Sequence, residues 1–435
     1  MAPDPDQIRE FAQRYTEAWC GQDPGRVAAH YAPDGSLTIN DGAPSVGRAA
    51  ITEVARSFMV AFPDMEVLMD DLRVEGESVE YHWTLVGTNT GPGGSGRSVR
   101  ISGFEEWTFG GDGLIAASLG HFDQAEYDRQ LENGVGSFAS FDLGGETAST
   151  WFRVSGELRP DDASVPAPLV VLHGGPGATH DYLLSLSDLA RDGRAVVHYD
   201  QLGNGRSTHF PERGADFWTV ELFVRELHNL VDALGIRDRH HVLGQSWGGF
   251  LAQEYALTQP AGLRSLVLAD TAASFPDFVA EANRLRAELP PEVEATLRHH
   301  EEAGTTDDPE YAEACQVFYR RHVCRLDPWP PEVMEAFAWI ERDPTVYHTM
   351  NGPSEFHVVG SIRDWQAKDR LAAIKVATLL VSGRHDEATP ALQETLRGGI
   401  RGAEWVLFDH SSHMPHVEER DRYMLVVGDW LARRD

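Results

Sequence analysis

The chain has 435 residues, of which 42% are hydrophobic and 24% are charged, and its net charge is −31 at pH 7. This length favours two domains, and the hydrophobic fraction is sufficient for a sizeable buried core. The charge argues against binding to nucleic acid or to anionic membranes, because both interactions need clustered lysine and arginine side chains.

We expect neither a signal peptide nor a membrane segment. Residues 1–11 are acidic and lack an apolar run behind a basic stretch, and no segment approaches the roughly 20 apolar residues of a membrane helix. The cysteines Cys20, Cys315 and Cys324 lack zinc-type spacing and a disulfide framework, so we expect free thiols. These features predict a cytoplasmic protein.

The first part of the chain predicts a small α+β domain. Apolar residues recur at helical spacing between Ile8 and Trp19, and two further helices are expected around 24–31 and 48–61. Strand-like stretches with turn-forming runs such as 91–94 between them follow at 65–74, 79–88, 98–109 and 114–121. Helices followed by an antiparallel meander are typical of this class.

The second part alternates between apolar runs and helical stretches. The runs lie at 169–172, 195–199, 241–243, 265–269, 377–381 and 405–408. Such alternation predicts a mostly parallel sheet with helices on both faces. It stops between Ala269 and Ala377, where a helical insertion, about 272–365, is interpreted as a lid. Residues 126–136 lack strong periodicity, so we predict domains at 1–132 and 133–435.

A nucleophile elbow is the sharpest motif. The sequence Gly-Gln-Ser-Trp-Gly-Gly at 244–249 follows an apolar strand and precedes a helical run. A G-x-S-x-G between strand and helix places its serine on a tight turn, which lifts the hydroxyl out of the sheet. This predicts an α/β hydrolase with Ser246 as its nucleophile.

The nucleophile needs a base that a carboxylate holds in one tautomer, and this fold supplies them in the chain order Ser, acid, His. Asp386, after the run at 377–381, is the candidate acid. After the last run three histidines compete, and His413 is preferred over His410 and His416 because it sits deeper in its loop.

The oxyanion hole also has a candidate sequence. His-Gly-Gly-Pro-Gly at 173–177 follows the first central strand, where glycines allow an amide to approach a developing negative charge. The expected donors are the backbone amides of Gly175 and Trp247. No His-Glu-x-x-His motif or cysteine cluster appears, so we expect neither a metal nor another cofactor.

Several motifs in matching order resemble the proline iminopeptidase family of serine aminopeptidases and the related L-amino-acid amidases. They are HGGPG (173–177), YDQLGNGRS (199–207), GQSWGG (244–249), NGPSEF (351–356) and GRHDEATP (383–390), together with the late His413. The likeness runs from about Leu169 to the end of the chain and includes the lid. One departure is Gln245, where many relatives have glycine.

The resemblance implies release of an N-terminal amino acid, proline or another small apolar residue, from peptides or amino-acid amides. In this family carboxylates hold the free α-ammonium group of the substrate, and the matching positions here are Glu355 and Glu387. The chemistry agrees, because acids facing one ammonium offer charge-assisted hydrogen bonds and reject blocked N-termini. Aromatic lid residues (Phe318, Trp329, Phe337, Trp365) are left unassigned, since such residues are more often core.

Residues 1–130 resemble the SnoaL-like polyketide-cyclase superfamily, a cone of curved sheet around helices that encloses a pocket. The likeness lies in the element order and in the ending GHFDQA at 120–125. His121 and Asp123 match the position of acid–base residues in cyclase members. Because many members are not catalytic, we favour a binding or dimerising role, which predicts a homodimer formed through this domain.

Alternatives stay open at this point. The second domain suits an amidase or esterase of secondary metabolism, and the whole chain suits a bifunctional enzyme whose first domain performs acid–base cyclisation or isomerisation. A binding protein with a vestigial triad is a further class. The complete set of Ser246, Asp386 and His413 argues against it.

Overall fold

The computed structural model describes residues 5–40, 42–75, 78–89, 98–133, 136–190 and 193–435. The chain divides into two compact units, Met1–Val135 and Gly136–Asp435. The three cysteines are free. Within the described ranges, every helix is too short or too polar to span a membrane.

In its described residues, the first unit has a six-stranded sheet and four helices. Its strands are β1 (Tyr31–Ile39), β2 (Ser45–Val46), β3 (Glu66–Glu75), β4 (Ser78–Thr88), β5 (Ser98–Phe109) and β6 (Ile115–Phe122). Its helices are α1 (Pro5–Cys20), α2 (Pro24–Ala29), α3 (Arg48–Ala61) and α4 (Gln124–Asn133). The strand order is β2-β1-β6-β5-β4-β3, with only β1 and β6 parallel. The expected turn at 91–94 lies outside the described residues.

Helix α4 differs from the expectation for this part of the chain. It occupies most of the stretch 126–136 that lacks strong apolar periodicity. Tyr127 and Leu131 pack against the core of the first unit, and Gln130 is buried. Two apolar contacts and one buried amide are too sparse a pattern to predict a helix, although tertiary packing is sufficient to stabilise one.

The second unit is built on an eight-stranded sheet. Its strands are β7 (Ser137–Asp142), β8 (Thr147–Ser155), β9 (Leu169–Leu172), β10 (Val196–Tyr199), β11 (His240–Gln245), β12 (Leu263–Ala269), β13 (Ala377–Gly383) and β14 (Glu404–Phe408). The order is β14-β13-β12-β11-β9-β10-β8-β7. The six strands from β9 to β14 are mutually parallel and coincide with the six apolar runs, so that prediction is confirmed.

The hairpin of β7 and β8 is not predicted by the apolar runs. It pairs antiparallel with β10 and lies at one end of the sheet, where β7 alternates exposed and buried residues. An edge hairpin with one solvated face lacks the continuous apolar run of a central parallel strand.

Helices cover both faces of this sheet. They are α5 (Val220–Ala233), α6 (Trp247–Leu257), α12 (Pro390–Gly399), α13 (Pro415–Glu418) and α14 (Arg420–Ala432), with 3-10 helices at Asp181–Leu189 and Lys368–Ala373. Along β9, Val170 and Leu172 join one core cluster while Leu169 and Val171 join the other. Successive side chains therefore enter opposite layers, as expected for a sheet buried on both faces.

Five further helices follow one another between β12 and β13. They are α7 (Phe275–Arg286), α8 (Pro291–Ala303), α9 (Pro309–His322), α10 (Pro331–Arg342) and α11 (Thr345–Met350). Each of the first four begins with proline at one of its first two positions, where the missing N–H costs no helical hydrogen bond. These helices occupy the segment interpreted as a lid.

Candidate active site

Ser246 lies on a strained turn between β11 and α6. Its backbone angles are φ 56° and ψ −124°, which a non-glycine residue rarely adopts. A Cβ at Gly244 would lie 2.1 Å from the Gly248 carbonyl oxygen, and one at Gly248 would lie 2.2 Å from that of Leu172. Only glycine fits at both positions, which explains the spacing of the motif.

Neighbouring strands hold this turn in place. The amide of Ser246 donates to the Ala269 carbonyl at 2.9 Å, and the Ser246 carbonyl accepts from the Thr271 hydroxyl at 2.8 Å. The turn is therefore fixed by the end of β12 as well as by its own helix.

Of the three competing histidines, His413 contacts the predicted acid. Its Nδ1 lies 2.6 Å from Asp386 Oδ1, which also accepts from the Ala388 amide at 2.8 Å. His410 is exposed. His416 is buried, and its Nε2 lies 3.0 Å from the Tyr182 carbonyl oxygen; burial lowers the pKa of His416 to about 3, so it stays neutral.

The charge on His413 is set by its surroundings. Burial lowers the pKa of His413, but the facing Asp386 carboxylate and its hydrogen bond raise it, as does Glu355, and the pKa ends above its usual value. An imidazole hydrogen-bonded to a carboxylate in this way is oriented and ready to take up a proton.

A cavity of about 220 Å³ opens beside Ser246. Five residues predicted to act at the site line it, namely Gly175, Ser246, Glu355, Glu387 and His413. The lid contributes Phe337, Tyr319 and Tyr347 to the lining. Asp386 is not in the lining; it lies behind His413 and is fully buried.

Of the two glutamates of the cavity, Glu387 is fully buried and Glu355 is half-buried, and Glu387 lies close to like charges. Glu355 Oε1 accepts from the Tyr347 hydroxyl at 2.6 Å, and burial raises the pKa of Glu355 despite that bond. Glu387 Oε1 lies 3.8 Å from His413 Nε2, and Glu387 Oε2 has no hydrogen-bond partner among the described residues. Burial, and then the charges of Glu355 and Asp386, raise the pKa of Glu387 well above its usual range.

The glycine-rich loop after β9 reaches the same cavity. Gly175 has φ 110°, and a Cβ there would lie 2.4 Å from the Gly177 amide nitrogen. Trp247, the second expected amide donor, is the first residue of α6, and its indole Nε1 donates to Gln201 Oε1 at 2.9 Å.

Gln245 links two loops of the site. It lines the cavity, accepts from the Tyr182 hydroxyl and donates from Nε2 to the His413 carbonyl at 2.9 Å. The Tyr182 hydroxyl in turn accepts from the Gly174 amide at 2.7 Å. Gln245, together with Tyr182, thus connects the loop of His413 to the glycine-rich loop.

Asp270, directly after β12, is a site residue that the sequence argument missed. It is fully buried, and its Oδ1 accepts from the Gly383 amide at 3.1 Å. Burial, then the charge of Asp386 and a hydrogen bond with it, raise the pKa of Asp270 well above its usual range. Its position immediately after a central strand is a sequence signal that could have identified it, because functional residues in such sheets lie at the carboxyl ends of the strands.

The aromatic residues left unassigned in the lid divide between core and cavity. Phe337 lines the cavity, and Trp329 packs against Phe337 with the two ring centroids 5.2 Å apart. Phe318 is buried against Phe356, and Trp365 donates to Glu254. Among these residues Phe337 alone belongs to the cavity lining.

In the first unit, the structure places His121 and Asp123 away from the cavity of that unit. Gly120 and Phe122 line the cavity, so His121 between them projects from the opposite face of the strand. His121 Nε2 lies 3.2 Å from Glu106 Oε1. Asp123 is exposed, and its carboxylate accepts from the Glu126 amide at the start of α4. The position expected for acid–base chemistry therefore serves as a helix cap.

Metal-ligand geometry occurs at one place in the described part of the chain. His300, Asp308 and Glu310 have ligand atoms within 4.8 Å of one another, on α8 and at the start of α9. Asp308 and Glu310 are exposed, and none of the three lines the cavity at Ser246.

Comparison with known families identifies both units. The pattern described as the alpha/beta hydrolase fold matches residues 167–420, and that described as a SnoaL-like domain matches residues 12–118. The chain therefore belongs to the alpha/beta hydrolase fold family and carries a SnoaL-like domain before it.

Individual relatives narrow the family further. A proline iminopeptidase from Thermoplasma volcanium is 40% identical over 267 residues, which are 61% of this chain and 89% of that one. A proline iminopeptidase from Lactobacillus helveticus is 38% identical over 290 residues, which are 66% of this chain and 95% of that one. The crystal structure of proline iminopeptidase from Mycobacterium smegmatis is 44% identical, with a TM-score of 0.62 over 68% of this chain and 98% of that one. The crystal structure of VinJ is 49% identical, with a TM-score of 0.66 over 69% and 99%. The chain belongs to the proline iminopeptidase family and is a hydrolase of the aminopeptidase class.

Proposed function

We propose that the second unit releases an N-terminal amino acid, proline or another small apolar residue, from short peptides or amino-acid amides. Ser246 attacks the scissile carbonyl while His413 takes its proton and Asp386 holds the imidazole. The amides of Gly175 and Trp247 bind the oxyanion. His413 then protonates the leaving amine, and water hydrolyses the acyl-enzyme.

The observation that carries this proposal is the crowding of carboxylates beside the nucleophile. Burial and the nearby charges of Glu355 and Asp386 raise the pKa of Glu387, and Glu387 Oε2 lacks a partner within the described residues. A substrate α-ammonium supplies the missing cation and donates charge-assisted hydrogen bonds. A blocked N-terminus offers no such charge and leaves buried acids unpaired.

The walls of the cavity favour a compact first residue. Tyr319, Phe337 and Tyr347 enclose it from the lid, and its volume is about 220 Å³. Aromatic rings of this kind suit a proline ring or a short aliphatic side chain, because they bury apolar surface.

Hydrolysis of blocked and unblocked substrates tests the proposal. We expect release of p-nitroaniline from prolyl and alanyl p-nitroanilides to exceed release from their N-acetyl forms by about 100-fold or more, because an unpaired buried acid costs several kcal/mol. Equal rates would reject the ammonium role of Glu355 and Glu387. Such a result would favour the amidase or esterase alternative.

Active-site labelling tests the nucleophile separately. A fluorophosphonate probe should label the full-length protein and not its Ser246→Ala variant, because the probe reports an activated serine hydroxyl. Labelling of both proteins, or of neither, would contradict the assignment, and absence of labelling would favour the binding-protein alternative.

For the first unit we propose a binding or dimerising role, in a cytoplasmic protein that forms a homodimer through this domain. The capping contact of Asp123 supports a structural role for that residue. Analytical ultracentrifugation of the full chain tests the dimer, and a monomer at all concentrations would contradict it.

A further inference from the structure

The first unit contains its own cavity, of about 60 Å³, between its sheet and helices α1 and α3. Five of its eleven lining residues are aromatic, namely Trp19, Phe58, Tyr81, Trp83 and Phe122, and five more are aliphatic or glycine. Glu105 is the one charged residue of that lining. A carboxylate within an aromatic enclosure needs an explanation, because an unpaired buried charge is costly.

The hydrogen bonds of Glu105 fall unevenly on its two oxygens. Oε2 accepts from the Ser118 hydroxyl at 2.6 Å, from the Trp107 indole at 2.9 Å and from the Tyr15 hydroxyl at 3.3 Å. Tyr31 adds a longer contact to the same oxygen at 3.5 Å. Among the described residues, Oε1 receives only the Tyr15 hydroxyl, at 3.3 Å. Oε1 therefore keeps acceptor capacity at the cavity.

Glu105 also lacks a counter-charge. All four of its donors are neutral, and none of the ion pairs found in the described ranges includes it. Burial raises the pKa of Glu105 above its usual value, and the donated hydrogen bonds offset this rise only in part. When Glu105 is ionised, four neutral donors face it but no cation does among the described residues, so a bound cation would stabilise the ionised form.

We propose that this cavity binds a small primary amine as its ammonium ion, with Glu105 Oε1 accepting from the ammonium group and the aromatic residues enclosing its carbon atoms. Aromatic faces attract cations, and a carboxylate adds a charge-assisted hydrogen bond. At about 10–15 Å³ for each water-sized group, the cavity holds about four to six non-hydrogen atoms. This site is separate from the cavity at Ser246 and does not depend on the proposed hydrolytic function.

Calorimetric titration of the full-length protein with isobutylammonium tests the site, with isobutanol as the neutral probe of equal size. Because the cavity at Ser246 also holds acids, including the partly unpaired Glu387, the Glu387→Gln variant separates the two sites. We expect this variant to retain isobutylammonium binding, whereas Glu105→Gln loses about tenfold or more in affinity. Equal binding of isobutanol, or no saturable binding to the unmodified protein, would overturn the proposal.

A cavity-filling variant covers the case in which Glu105→Gln fails to fold. Gly120 lines the cavity, and a Cβ there would lie 3.7 Å from Glu105 Cγ and 3.5 Å from the Thr38 carbonyl oxygen, which are ordinary contacts. Gly120→Val therefore fills space beside the carboxylate and should weaken binding by about tenfold or more. Leu119→Val, at an exposed neighbour on the same strand, is the matched control and should bind normally. Unchanged affinity in Gly120→Val would contradict the site.

Discussion

Glu387 Oε1 lies 3.8 Å from Nε2 of His413, and Glu387 itself is fully buried. Burial, Glu355 and Asp386 all raise the pKa of Glu387, so folding favours its protonated form. When a carboxyl group has a higher pKa in the folded state than in the unfolded state, the folded protein loses stability as the pH rises from the pKa of the unfolded state through that of the folded state. Glu387 therefore destabilises the free protein at neutral pH and above.

Replacement of Glu387 by glutamine should stabilise the protein while impairing its activity. At pH 8 we expect the free energy of unfolding to rise by about 1–3 kcal/mol, the usual cost of an unsatisfied buried group. Activity on prolyl p-nitroanilide should fall by about tenfold or more, since the ammonium loses a charged partner. Denaturant titration and steady-state kinetics measure both. A variant that is less stable and fully active would contradict the prediction.

The Glu355→Gln variant should shift the pH profile of the reaction. Burial lowers the pKa of His413, while Asp386 and then Glu355 raise it. Removing the charge of Glu355 therefore lowers the pKa of His413, and the base stays neutral at a lower pH. The acidic limb of kcat/KM should move to lower pH.

This shift is best measured with p-nitrophenyl acetate, which has no ammonium group and so reports the base alone. Glu341→Gln is the matched control, because Glu341 lines the same cavity but is exposed. We expect its profile to match that of the unmodified protein. A shift to higher pH in Glu355→Gln would refute the electrostatic coupling.

The sequence predicts the parts of this site that follow directly from central strands. Ser246 follows β11, and Asp386 and His413 follow β13 and β14 within a few residues, so a strand pattern and a residue type identify each. Glycine spacing at the elbow adds a steric requirement that is visible in the sequence alone.

Contacts between distant segments could not be predicted in this way. Gln245 meets Tyr182 across 63 residues and His413 across 168 residues, and no periodicity links those positions. In the first unit, Glu105 and Glu106 are adjacent acids in one strand, and only the register of the folded sheet shows that Glu105 faces inward. Residue patterns fix which positions alternate along a strand, but not which face a cavity occupies.

Loss of Gln245 should lower turnover by uncoupling the two loops that it joins. In Gln245→Ala the Tyr182 hydroxyl loses its acceptor and the His413 carbonyl loses a donor. We expect kcat to fall by about tenfold and the free energy of unfolding by about 1–3 kcal/mol, with little change in KM.

Gln253→Ala provides the control for a lost buried glutamine. Gln253 is equally buried, but its amide donates to the Gly249 and Ala272 carbonyls and does not touch His413. We expect it to lose stability and keep kcat. Equal kcat values in the two variants would show that Gln245 has only a structural role.

Asp270 should act as a neutral donor that fixes the catalytic carboxylate. Its raised pKa favours the protonated form, and Oδ2 of Asp270 and Oδ2 of Asp386 each have no hydrogen-bond partner among the described residues. Asp270→Asn retains a donor toward Asp386 and an acceptor for the Gly383 amide, so its kcat should stay within about threefold of the unmodified protein. Asp270→Ala removes both and should lower kcat by about tenfold, with little change in KM.

The pH dependence separates this role from simple packing. Because the folded pKa of Asp270 is raised, its contribution to stability is present at low pH and is lost as the pH rises through that value. Asp270→Asn cannot ionise, so its melting temperature should fall less steeply with rising pH than that of the unmodified protein. Thermal unfolding across alkaline pH measures the difference. Parallel curves for the two proteins, or an inactive Asp270→Asn variant that is fully folded, would exclude a neutral Asp270 beside Asp386.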